Sequence, residues 1–230
     1  MRNPLPLVAI VIPAHNEERH LPGLLSSLPS ALAGASRVIP IVVDDGSRDG
    51  TARLARAAAG VRVVRHRVRL GKGAALKTGS EAALRLGAGV IVVMDGDGQH
   101  RAGDLPRLVA PLIRGEAEVV LGTRPLSRDM PATLRFGNGV LNFAIRALFG
   151  IRLGDSQGGF RAFTAAAYEK LRWQARGYAV ESEMLVHMAR QGLTFLEVPI
   201  DVIYHDRHKG TQPLDGLHIL RHLLAWRLGH

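Results

Sequence analysis

The sequence predicts an α/β fold, a mostly parallel central sheet carrying helices on both faces. Two observations predict it. Short β-branched runs alternate with longer amphipathic stretches, and the runs are apolar almost without a break, as strands covered on both faces are. Polar residues, acidic or amide-bearing among them, follow three of those runs, at the carboxyl ends where open parallel sheets collect their ligands.

The first half supplies the alternation in order. Val-Ala-Ile-Val-Ile at 8–12 opens the sheet, because β-branched side chains crowd a helix and suit a pleated surface. A helix over 17–28 leads to a strand at 38–43, then a helix at 51–59 and a strand at 61–65. Helix 72–86, strand 90–94, helix 105–113 and strand 119–122 complete the pattern. The second half is less regular: a helix over 134–149, a polar glycine-rich turn at 155–161, helices over 165–171 and 181–191, and short strands at 194–199 and 202–205. No repeat, low-complexity tract or linker intervenes, so the chain reads as a single domain over 1–230, divided into 1–124, 125–215 and a C-terminal amphipathic helix within 216–230. In that helix Leu217, Leu220, Leu224 and Leu228 recur at helical spacing among Arg221, His222 and Arg227, which suits contact with a membrane surface or packing on the domain.

Composition narrows the classes. At 230 residues and 47% apolar content the chain can bury one substantial core. It has no cysteine, which removes disulfides and thiolate metal sites and fits a reducing, cytoplasmic setting. The apolar stretch at 5–13 is too short for a signal sequence, and no window reaches the roughly 18 apolar residues of a membrane span. A net charge of +10, from 30 Lys and Arg against 20 Asp and Glu, favours anionic partners such as phosphates or the acidic inner face of a cell membrane. Nucleic acid is not expected, since the few aromatic residues are not interleaved with Arg or Lys as a base-stacking surface requires.

The sharpest local signal is Asp95-Gly96-Asp97, directly after strand 90–94. Carboxylates separated by one small residue can turn into the same cavity, and hard divalent cations are held by one or two carboxylates together with substrate phosphates. Gln99 adds another oxygen. Alone, such a triplet is more often an Asx turn. Asp44-Asp45 ends another strand, however, and Glu17 follows the first, so several strand ends aim carboxylates at one crevice. Like charges repel there unless a cation or hydroxyl donors relieve them.

Other patterns carry less. Gly71-Lys72-Gly73 lacks the spacing and hydroxyl of a Walker loop, leaving phosphate attraction at a helix start or a plain turn. His218 and His222 stand at i,i+4 without further ligand spacing and read as surface or interface, while Arg207 and Lys209 would repel a cation from His205, Asp206 and His208.

Taken in order, the segments Pro13-Ala14-His15-Asn16-Glu17-Glu18, Asp44-Asp45-Gly46-Ser47, Gly71-Lys72-Gly73, Asp95-Gly96-Asp97-Gly98-Gln99-His100, Gly122-Thr123-Arg124, Asp155-Ser156-Gln157-Gly158-Gly159-Phe160-Arg161, Glu181-Ser182-Glu183-Met184 and 204–210 resemble the family 2 glycosyltransferases of GT-A (Rossmann-like) fold. The likeness is closest to the dolichyl- or polyprenyl-phosphate mannosyl- and glucosyltransferases. Each motif is weak alone, and the ordered set is specific. The resemblance implies an inverting transfer from a GDP- or UDP-linked sugar, with 1–124 as the nucleotide-sugar half and 125–215 as the acceptor half. It implies that Pro13, His15, Glu17, Asp44, Asp45, Lys72, Asp95, Gly96 and Asp97 bind the donor. Asp97 and Gln99 would hold Mg2+ or Mn2+ on the diphosphate. Arg124, Arg135, Arg207 and Lys209 would meet acceptor phosphate, the first three acting with Asp97 in catalysis. This sequence departs from the family at His15, where an aromatic residue is usual, at Gly139, where Ser is frequent, and at 207–213, which lacks the distal Lys.

A polyprenyl phosphate needs no general base, because a phosphate monoester loses its second proton at a pKa of about 6. It needs cationic positioning near the anomeric carbon. A soluble hydroxyl acceptor would need a carboxylate base, for which Asp155 and Glu183 are the candidates. A non-catalytic nucleotide-sugar-binding protein is the remaining alternative.

Overall fold

The computed structural model describes residues 4–124, 132–177, 179–203 and 213–228, and the side chains of 132–136, 213–215 and 217 lie outside the description. Strands β1 (Leu7–Ala14), β2 (Arg37–Asp44), β3 (Arg62–Arg65), β4 (Ala88–Val93), β5 (Val119–Thr123), β6 (Arg161–Thr164) and β7 (Phe195–Pro199) form one sheet in the order β3-β2-β1-β4-β6-β5-β7. All neighbours run parallel except β6, which lies antiparallel between β4 and β5. Helices α1 (Leu21–Ser27), α2 (Thr51–Ala57), α3 (Lys72–Arg85), α4 (Leu105–Ile113), α5 (Ala132–Phe149), α6 (Ala165–Leu171), α7 (Val180–Arg190) and α8 (Pro213–Arg227) cover it.

Strand periodicity divides the core in two. Ala9, Val11, Ile41, Val43, Ile91 and Val93 face a cluster shared with α3, α5, α7 and α8. Their neighbours Val8, Ile10, Ile12, Val42, Val90 and Val92 face another shared with α1 and α4. Successive side chains of a strand point to opposite faces, so the near-continuous apolar runs are the mark of a sheet buried twice.

Register places the site. Ala14 pairs with Asp44, so β1 and β2 end level, and β4 ends just short of them, where Val93 pairs with Val11. Residues 15–17, 45–47 and 95–99 therefore emerge along one carboxyl edge.

Three expectations are corrected. The first helix begins at Leu21, because His20 and Leu21 donate their amides to the Glu17 carbonyl in a turn that precedes it. Strand β6 was not foreseen: its four residues carry no detectable period and begin with a buried arginine. Of the strand expected at 202–205, Val202 makes only an isolated bridge to His100, and 204–205 lie outside the described residues. Helix α8 packs on α5 and α7, burying Ile219 and Leu223 while leaving Leu224 and Leu228 exposed. Among the described residues no helix is long and apolar enough to cross a membrane.

Candidate active site

Two loops at the carboxyl edge are tied together by side chains bonding to backbone. The Asn16 amide donates to Ser47 Oγ at 2.9 Å, the Glu17 amide to Thr51 Oγ1 at 2.8 Å, and the Arg48 amide to Asn16 Oδ1 at 3.0 Å. Asn16 takes a positive φ of 56°, a conformation asparagine tolerates better than most residues. His15 Nδ1 donates to the Asp45 carbonyl at 2.8 Å, which fixes its ring beside the second strand end. Asp44 accepts from the Ser47 amide at 3.0 Å and pairs with Arg65 at 2.8 Å. Asp45 accepts from His66 Nδ1 at 2.7 Å and from the Leu70 and Gly71 amides at 2.8 Å each. Burial would raise its pKa, but these donors outweigh burial and hold the carboxyl below its ordinary range.

A second cluster joins α3, the residues after β4, and α7. Lys72 Nζ lies 2.7 Å from both Asp95 Oδ1 and Glu181 Oε1, and His100 Nε2 approaches Asp95 Oδ2 at 3.5 Å. Burial opposes the charge on Lys72, yet the two carboxylates raise its pKa well above the usual lysine range. Asp95 is pushed up by burial, but Lys72 and His100 leave it well below the usual carboxylate range. Close backbone approach completes the cluster: a Cβ on Gly96 would meet the Pro13 carbonyl at 2.8 Å, and one on Gly159 would overlap Asp95 Oδ2. Asp97 differs from Asp95. It accepts from the Gln99 amide at 3.0 Å and has no cationic partner among the described residues. No group of three or more His, Cys, Asp or Glu there could hold a metal ion. The donor set fits a hard divalent cation that keeps waters and substrate phosphate in its shell, with Asp97 and Gln99 as protein oxygens.

Toward α5 the loop 154–160 is held from several sides. Arg124 donates to Asp155 through Nε at 2.6 Å and Nη2 at 2.9 Å, and Asn138 Nδ2 reaches Asp155 Oδ1 at 3.1 Å. Burial raises the Asp155 pKa, but this pairing brings it below its ordinary value. Arg161, only 2% exposed, donates to the carbonyls of Ser156, Gly158 and Glu181 at 2.7 to 2.8 Å. Its guanidinium thereby shapes the loop that brings Gly159 against Asp95.

Residues 9–172 match the model of Glycosyl transferase family 2. The chain belongs to that family. This glycosyltransferase is 32% identical to the UDP-N-acetylglucosamine--dolichyl-phosphate N-acetylglucosaminyltransferase of Methanococcus voltae over 97% of either chain. It is 31% identical to the polyprenol monophosphomannose synthase of Mycolicibacterium smegmatis, over 91% of this chain and 82% of that one. Among solved structures, glucosyl-3-phosphoglycerate synthase from Mycobacterium tuberculosis, in complex with Mn2+, UDP and glucosyl-3-phosphoglycerate, matches with a TM-score of 0.73 at 26% identity. The match covers 97% of this chain and 80% of that one. The fold is GT-A.

Of the glycosyltransferase's expected site residues, the structure brings Pro13, His15, Glu17, Asp44, Asp45, Lys72, Asp95, Gly96, Asp97 and Gln99 to one edge of the sheet. Arg124 ends β5 and is engaged by Asp155. Arg135 lies on α5 with its side chain outside the description, as Arg207 and Lys209 are entirely. The amides at the start of α3 are not open to phosphate: Gly73 and Ala74 donate to the Arg176 carbonyl at 2.7 and 3.3 Å. Both expected bases are also engaged, Asp155 by Arg124 and Glu183 by the Gln174 and Ala175 amides at 2.8 and 2.6 Å. Sequence reasoning missed Glu181, His100 and Arg161. Each stood inside a quoted motif, but nothing in spacing says that Glu181 rather than Glu183 turns toward Lys72. Glu181 Oε2 is buried without a hydrogen-bond partner among the described residues.

Proposed function

We propose that the glycosyltransferase moves a hexose from a GDP- or UDP-linked sugar to a polyprenyl phosphate, with inversion at the anomeric carbon and with Mg2+ or Mn2+ at Asp97 and Gln99. The observation that carries the reading is the contrast between the two carboxylates of Asp95-Gly96-Asp97. Asp95 is paired with Lys72 and lies 3.5 Å from His100 Nε2, while Asp97, two residues on, has no counter-charge among the described residues. One binds donor hydroxyls in a fixed pose, and the other is left for a cation on the diphosphate. The dolichyl- and polyprenyl-phosphate relatives support the lipid acceptor.

A divalent cation, when bound, would be held by Asp97 and Gln99 and would supply stabilisation of the negative charge on the leaving nucleoside diphosphate. His15, fixed on the Asp45 carbonyl, borders the base and ribose pocket. An ionised phosphate oxygen of the acceptor attacks the anomeric carbon as the bond to the diphosphate breaks, and no residue has to remove a proton. Arg124, oriented by Asp155, steers the acceptor phosphate with Arg135, Arg207 and Lys209. A lipid acceptor places this work at a membrane surface, on the cytoplasmic side. Radiolabelled nucleotide sugars supplied with polyprenyl phosphate and Mn2+ test the reading: an organic-soluble sugar phosphate lipid of inverted configuration is expected, and its absence across GDP and UDP donors overturns it.

One observation favours a second reading, transfer to a soluble hydroxyl acceptor. Glu181 presents an unpartnered buried carboxylate oxygen near the donor side, as a general base requires, and the structural relative is glucosyl-3-phosphoglycerate synthase. A Glu181→Gln variant that abolishes transfer to a hydroxyl acceptor, with no lipid product from the wild type, would establish it.

A further inference from the structure

Helices α5 and α8 pack against each other and bury Leu141, Ile145, Ile219 and Leu223 toward α7 and the sheet. The outer face of α5 is largely apolar as well, whereas that of α8 sets Leu224 among His218, Arg221 and Arg227. On α5, Phe143 is 73% exposed and Val140 38%; on α8, Leu224 is 56% exposed, and Leu228, just past its end, 76%. Phe143 and Leu228 are the two most exposed large apolar side chains described, and exposed cations stand one helical turn from Phe143 and from Leu224. Arg146 on α5 and Arg221 on α8 both face solvent. Helix α5 contains no Asp or Glu, and α8 a single Asp near its start.

The α5 face also adjoins the loop at 154–156. Asn142, the residue before Phe143, donates to the Gly154 carbonyl at 3.0 Å and accepts from the Ser156 amide at 3.0 Å. Asn138, one turn earlier, holds Asp155. One side of α5 thus grips the loop that orients Arg124, while the adjacent side presents Phe143 to solvent.

We propose that the outer faces of α5 and α8 dock the enzyme on an anionic lipid bilayer, so that the loop at 154–156 meets the headgroup of a lipid-anchored acceptor at the membrane surface. The inference rests on the polyprenyl-phosphate reading for its consequence, though not for the surface itself. Apolar side chains flanked by Arg enter the headgroup boundary while the cations hold anionic lipid. A protein of net charge +10 is drawn to such a surface. A soluble monomer would gain nothing from leaving Phe143, Leu224 and Leu228 in water.

The test is co-sedimentation of the whole chain with vesicles of phosphatidylglycerol and phosphatidylcholine, compared with phosphatidylcholine alone. Wild type is expected to sediment with the anionic vesicles only and to be released by high salt. The triple variant Phe143→Ser, Leu224→Ser, Leu228→Ser is expected to bind at least about tenfold more weakly. It should also lose transfer to a long-chain polyprenyl phosphate embedded in vesicles while keeping transfer to a short, water-soluble isoprenyl phosphate. A Phe143→Trp variant reports independently of folding losses in the triple variant: its added fluorescence should shift to the blue with anionic vesicles. Wild type remaining in the supernatant, an unshifted emission from the Phe143→Trp variant, or a triple variant that sediments like wild type overturns the docking. So does self-association through this face without lipid, abolished in the triple variant. If vesicles bind and neither isoprenyl phosphate accepts sugar, the docking stands and the acceptor reading falls. If the short acceptor is used and vesicles are ignored, the reverse holds.

Discussion

Gly159 illustrates how single atoms constrain the proposed donor site. With its missing Cβ replaced, Asp95 Oδ2 would be overlapped and Lys72 Nζ would stand 3.0 Å away, so either the carboxylate or the loop must yield. Gly159→Ala is expected to lower kcat/KM for the donor by about 10- to 100-fold, the usual cost of disturbing groups that support a binding set. The melting temperature should move by less than about 4 °C; steady-state kinetics beside thermal melting separates the two. Asp45 acts differently, through the fold. Its folded pKa lies below the ordinary carboxylate value of about 3.9, so the stability it supplies is complete above that value and drains away as pH falls through the lower folded one. Asp45→Asn sets an amide against one of the donors it served and should cost about 1–3 kcal/mol near neutrality. Urea unfolding across pH 3 to 7 should show the variant's acid limb flatter than the wild type's.

At the scale of elements, the segment 173–176 is the least obvious support of the site. Trp173 Nε1 donates to the Gly73 carbonyl at 2.9 Å, and the Arg176 carbonyl receives the Gly73 and Ala74 amides, so this stretch closes the start of α3 and sets where Lys72 stands. Glu183 on α7 in turn accepts the Gln174 and Ala175 amides. Glu183→Ala leaves two amides without that acceptor, at about 1–3 kcal/mol each. Lower thermal stability and a raised donor KM are expected together; a donor KM that stays constant while stability falls would detach α7 from the donor site. The helices over 105–113 and 165–171 were legible to the residue: the first places Leu105, Leu108, Val109 and Leu112 at helical spacing, and the second starts directly after Thr164, which caps it. Strand β6 was illegible, since four residues beginning with Arg161 show neither alternation nor a continuous apolar run, and only the three carbonyls around its guanidinium explain its burial. The role of Glu183 as a clamp was hidden for a related reason: its partners are backbone amides, which sequence does not mark.

Across the whole molecule, the order β3-β2-β1-β4 sets three strand ends side by side, and the chain's acidic motifs fall there. That much followed from alternation and from the position of each motif after a run. The reversal at β6 and the contribution of β7 from the second half did not, because antiparallel insertion depends on how 155–161 folds back. The placement of Asp45 and Asp97 on one edge, with β1 between them, is what brings the separate motifs together. The most direct test of the proposed joint site is titration calorimetry of UDP and of GDP with and without Mn2+, on the wild type and on Asp97→Asn. At least one nucleotide should bind the wild type with an affinity that Mn2+ raises tenfold or more, and the variant should lose that gain; nucleotide binding equal in strength with and without Mn2+ would contradict the account.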